Sequence, residues 1–76
     1  MSKFLEESVA LQEEYEKLIS EKRLTKKAMC DLCVPFRDKY SLTDLQTLMI
    51  ARNELSLSQF YEIEKCFEER EKNNEI

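Results

Sequence analysis

The sequence predicts an all-α fold, a small bundle of three to four helices, on three observations. The chain has no Gly and one Pro, so it is short of turn-forming residues. Its 37% charged and 42% hydrophobic residues suit amphipathic helices and are too apolar for disorder. Polar residues that start helices recur just before apolar residues spaced three and four apart. A length of 76 residues bounds the answer to one domain with a small core, placed at residues 1–70, with a charged tail at 71–76 that is expected to fray.

The first helix is predicted from about Lys3 to Lys22. Phe4, Ser8, Leu11, Tyr15 and Leu18 alternate steps of four and three, the spacing of a bundle seam. Leu5 and Ile19 widen that stripe toward a second neighbour. Thr25 is the predicted N-cap of the second helix, with Leu24 and Met29 forming a hydrophobic staple. Its inward face reads Met29, Leu32, Cys33, Phe36 and Tyr40. Pro35 lies inside that pattern, where it removes a backbone donor and crowds the Asp31 carbonyl, so the second helix is expected to be kinked or broken there.

The third helix is predicted to open at Ser41, with Asp44 completing a variant capping box and Tyr40 stapling to Leu45. Leu42, Leu45, Leu48 and Met49 then face inward, and Asn53 ends the helix. The fourth starts at Ser56, with Gln59 completing a box and Leu55 stapling to Phe60, and it turns Phe60, Ile63 and Phe67 inward.

Charge is segmented. Residues 1–21 carry two Lys against six Glu, residues 22–40 six basic against two acidic groups, and residues 41–76 four basic against eight acidic groups. A basic middle between acidic ends can pair within one bundle or across a dimer. Glu6 and Glu7 interrupt any apolar leader, and the longest wholly apolar run is Leu48 to Ala51, so neither secretion nor a membrane span is expected. The expected location is the cytoplasm, where Cys30, Cys33 and Cys66 stay reduced.

Catalysis is poorly supplied, because the chain has no His and no Gly and therefore lacks the usual proton shuttle, phosphate loop and oxyanion turn. No enzymatic role and no cofactor is expected. Cys30-Asp31-Leu32-Cys33 is a C-x-x-C pair on the second helix, with Cys66 on the fourth. Zinc needs four ligands, so the expectation is no metal, with Cys33 a small core residue and Cys30 half-buried beside Lys26 and Lys27.

Gln46, Ile50, Leu55, Ser56, Phe60, Ile63 and Glu64, within residues 42–67, stand at a spacing that resembles the two central helices of phage-repressor-type DNA-binding domains. That resemblance implies a helix-turn-helix unit whose second helix reads a groove. Glu54 departs from the usual turn Gly and Ile50 from the usual small residue. Ser58, Gln59, Glu62 and Glu69 on the would-be reading helix bring acidic groups toward phosphate. Leu24-Thr25-Lys26, and Asn53-Glu54-Leu55-Ser56 followed by Phe60-Tyr61, are also similar to stretches of small haemolysin-modulating proteins that bind nucleoid factors, over too few positions for membership.

Stepping about 100° per residue, Val9, Val34, Ile50 and Tyr61 fall roughly 120° to 150° from the buried stripe of their own helices. They are the predicted partner-binding residues. The expected function is that of a non-catalytic regulatory or adaptor protein binding another protein or a second copy of itself. The alternative is a nucleic-acid-associated regulator, with Lys22, Arg23, Lys26 and Lys27 as contacts to nucleic acid or an acidic partner.

Overall fold

A computed structural model describes the backbone of residues 3–74 and the side chains of residues 3–70. These residues form four helices, α1 (Lys3–Ser20), α2 (Lys26–Tyr40), α3 (Asp44–Ala51) and α4 (Leu57–Asn74), with no strand among them. The fold is a small all-α bundle.

α1 follows its seam. Phe4, Ser8, Leu11 and Tyr15 are buried, and Leu18 is half-buried. Ser8 is tolerated inside because its hydroxyl donates to the Phe4 carbonyl at 2.7 Å. Past the end of α1, Lys22 turns left-handed at φ 55 and the Arg23 N–H closes on the Leu18 carbonyl at 2.8 Å. The same closure ends α2, through Ser41 at φ 53 and Leu42 N–H on Arg37, and α3, through Asn53 at φ 56 and Glu54 N–H on Met49. Glycine normally takes this position. A chain without Gly accepts about 1–2 kcal/mol of left-handed strain at such a residue.

α2 is capped by Thr25, whose hydroxyl accepts from Ala28 N–H at 3.0 Å. Of the kink or break expected at Pro35, the break does not occur, since α2 runs through Pro35 to Tyr40. Phe36 and Tyr40, both buried, anchor the turns that follow the missing donor.

α3 departs most from the sequence reading. Ser41 is not its N-cap but the left-handed closure of α2. Thr43 caps α3 in a full box with Gln46, each side chain accepting from the other's backbone N–H at 3.0 Å. The helix buries Thr47, Ile50 and Ala51, and turns Leu45 out to 65% exposure. Thr47 can be inside because its hydroxyl donates to the Thr43 carbonyl at 2.9 Å. The helix is apolar nearly all round, so its sequence contains two candidate inward faces and periodicity cannot choose between them.

The core is built on rings. Phe4 meets Phe36 edge-on at 5.8 Å, Phe60 edge-on at 4.9 Å and Tyr40 at 4.8 Å. Such offset and T-shaped contacts add about 0.5–1.5 kcal/mol each beyond area burial. α1, α2 and α3 approach one another backbone to backbone, while α4 reaches them through long side chains. α4 starts at the predicted box, with Ser56 N–H donating to Gln59 Oε1 at 3.1 Å and Gln59 N–H to Ser56 Oγ at 3.3 Å. In the tail expected to fray, the backbone is helical as far as Asn74, and residues 75 and 76 lie outside the described residues.

Candidate interaction surface

α1 and α4 position an apolar exposed face. Leu5, Val9, Met49, Leu55, Leu57 and Phe60 line a groove of about 190 Å³ where α1 passes the end of α3 and the start of α4. Val9 stands at its edge at 43% exposure and Leu57 at 73%. Tyr61, at 55% exposure, lies one turn beyond Leu57 and braces its ring edge-on against Phe60 at 6.1 Å. Val9 and Tyr61 are therefore exposed as the sequence phase implied.

Ile50 is corrected. It is 1% exposed and belongs to the core, where it lies beneath the groove and does not project from it. The expected phase of α3 was rotated, and Leu45, read as core, is the residue that projects. Val34 is half-buried on a different face, in a cleft between α2 and α3. Leu57 was missed, since its position directly after the Ser56 cap resembles an ordinary first-turn residue. Only its place beside Val9 makes it part of a surface.

Lys22, Arg23, Lys26 and Lys27 are all exposed around the α1–α2 connection. Arg23 pairs with Glu21 at 3.5 Å, while Lys26 and Lys27 join no ion pair among the described residues. On α4, Ser58, Tyr61, Glu62, Lys65 and Glu69 are exposed, so the helix that would read a groove presents both signs of charge.

A dense polar cluster joins α1 to α2. Glu7 accepts hydrogen bonds from Lys39 Nζ and the Tyr40 hydroxyl, and Lys39 also lies over the Tyr40 ring at 5.6 Å from its centre. The hydrogen bonds from Lys39 and then Tyr40 hold the Glu7 carboxyl below its ordinary value. Burial, and then the Glu7 carboxylate, push the Tyr40 phenol well above its own. A carboxylate held by two donors in this way is a brace between helices and a poor proton acceptor for a substrate.

The three cysteines are free, and Cys30 is exposed where half-burial was expected. Burial, and to a lesser extent Cys30, raise the Cys33 thiol above its ordinary value, and its Sγ lies 3.7 Å from Met29 Sδ. Among the described residues no group of three or more Cys, Asp or Glu side chains is placed to hold a metal ion. Among the same residues no helix is long and apolar enough to cross a membrane. No family model, curated protein or solved structure matches the chain.

Proposed function

We propose that the chain is a non-catalytic regulatory or adaptor protein of the cytoplasm that binds an amphipathic helix of another protein across the Val9–Leu57–Tyr61 face. The observation that carries this reading is three large apolar side chains exposed around one groove, where isolated exposed residues would need no explanation. Charge favours a partner with basic flanks, because Glu6, Glu13 and Glu16 share the outer side of α1 with Val9 and are all exposed. Tyr61 suits the rim, where an amphipathic ring tolerates water.

The test is a quantitative pull-down with three baits: wild type, Leu57→Asp and Leu45→Glu. Proteins retained by wild type and Leu45→Glu but lost with Leu57→Asp support the reading. Identical retention by all three sinks it.

The exposed cluster of Lys22, Arg23, Lys26 and Lys27 favours a second reading, association with nucleic acid. Fluorescence anisotropy with random duplex DNA decides it. Binding that falls steeply with added salt, and is lost in Lys26→Glu/Lys27→Glu, supports that reading, and absence of binding at low salt removes it.

A further inference from the structure

α3 has a composition at odds with its place at the surface. Of its eight residues only Asp44, Gln46 and Thr47 are polar, and Thr47 is buried. Leu45 projects at the surface and Leu48 is half-exposed. A helix apolar all round is normally covered on all sides.

Beside Leu45 lies a cleft of about 250 Å³ between α2 and α3, walled by Met29, Cys33, Val34 and Leu48. At its lip Arg37 bonds Asp44 at 2.6 Å and Asp38 at 3.1 Å. A projecting apolar knob and an apolar cleft thus stand side by side on one face. That arrangement is self-complementary under a two-fold axis, because the knob of each copy can enter the cleft of the other.

Charge points the same way. Among the described residues Lys26 and Lys27 join no ion pair at the start of α2, while at its other end Asp38 and Asp44 outnumber Arg37 on the α3 side, Lys39 being drawn to Glu7 on the α1 side. Lys26 and Asp38 are about 18 Å apart along α2 at ~1.5 Å per residue. Antiparallel packing of α2 on α2 would bring the basic end of each copy to the acidic end of the other. The Val9 face has no such complementarity, since Glu13 and Glu16 would meet their own counterparts.

Surface area allows it. The chain exposes 5743 Å², roughly 850 Å² more than the ~4,900 Å² of a folded monomer of 9.1 kDa. An elongated outline of 45 × 23 × 20 Å contributes to that excess. One partner's share of a standard interface is about 800 Å².

We infer that the α2/α3 face is a two-fold interface with a second copy of this chain, in which Leu45 of each copy seats in the Met29–Val34–Leu48 cleft of the other. This interface is separate from the Val9–Leu57–Tyr61 face, so either can fail without the other.

Sedimentation velocity of the full chain from micromolar to millimolar concentration tests it. Wild type is expected to dimerise. Leu45→Glu, with helicity intact because the side chain is exposed, is expected to weaken the dimer by roughly thirtyfold or more, as loss of an interface anchor does. Lys26→Asp is expected to weaken it, and Lys26→Asp combined with Asp38→Lys to restore it in part. A wild type that is monomeric throughout the range overturns the inference. So does a dimer that survives both Leu45→Glu and Lys26→Asp but is lost in Leu57→Asp.

Discussion

α1 and α4 are both 18 residues long, yet they are held in different ways. α1 buries four residues along an unbroken seam, in close backbone contact with α2 and α3. Among the described residues of α4 only Phe60 is fully buried, with Ile63 and Phe67 packed at the margin. α4 is tied on by rings, Phe60 on Phe4 at 4.9 Å and Phe67 on Tyr40 at 4.7 Å, and by Arg70 Nη2 donating to the Tyr40 carbonyl at 3.3 Å. A helix attached by a few side chains opens at lower free energy than one that builds the core. It also leaves more of its circumference exposed. The three-helix unit thus builds most of the core, and α4 is docked onto it.

Phe4 is where the two parts meet, so it gives the largest expected effect. Phe4→Ala should cost about 3–5 kcal/mol, a large share of the stability of so small a domain. Thermal melts by circular dichroism should show a collapse of the whole transition. Loss confined to α4 would mean that Phe4 serves the docking of α4 and little else.

Within the three-helix unit, Ile50→Ala should cost about 2–5 kcal/mol as a buried truncation. Leu45→Ala, one and a half turns away and exposed, should move stability by no more than about 0.5 kcal/mol. Denaturant midpoints on the pair measure the phase of α3 directly. Equal losses would contradict the observed orientation.

Phe67→Ala sharpens the contrast from the α4 side. A half-buried ring should cost about 1 kcal/mol. Native-state hydrogen exchange should show faster opening in α4, with the slow amides of α1 and α2 almost unchanged. Uniform acceleration across all four helices would make α4 part of one cooperative unit.

The smallest expected effect is a pH dependence carried by the brace between α1 and α2. Glu7 titrates below its ordinary value because Lys39 and Tyr40 donate to the ionised form. Its stabilisation is therefore present above the ordinary carboxylate range and is lost as pH falls through the depressed native value. Glu7→Gln should be less stable at neutral pH and should lose less on acidification. Stability curves of wild type and Glu7→Gln that run parallel from neutral to acid pH would show that the cluster carries no such linkage.

Much of the fold could be read from residue type and spacing because it rests on local rules. The α1 seam, the Thr25 cap and the Ser56–Gln59 box depend on groups within one or two turns of each other. The candidate surface was less legible. Val9 and Tyr61 could be found by phase, since each lies opposite a clear apolar stripe. Leu57 could not, because it matters only through a neighbour on α1.

Ser41 and Thr43 show where local rules stop. Both are good N-cap residues, and both are followed three positions later by a side chain that can complete a box. The choice fell to Thr43 because α2 uses Ser41 for its left-handed closure, with Leu42 turned into the core behind it. Inside α3, the face with Leu45 and the face with Ile50 are both apolar, so side-chain hydrophobicity could not decide the orientation. By itself the sequence determined the helical class, the helix starts at Thr25 and Ser56, the α1 seam and the segmented charge, all of which follow from residue type and contacts short along the chain. The tertiary structure alone decided that Ile50 is core and Leu45 is surface. That choice depends on which face fits against α1, with Thr47 hydrogen-bonded internally and Ala51 small enough for close approach.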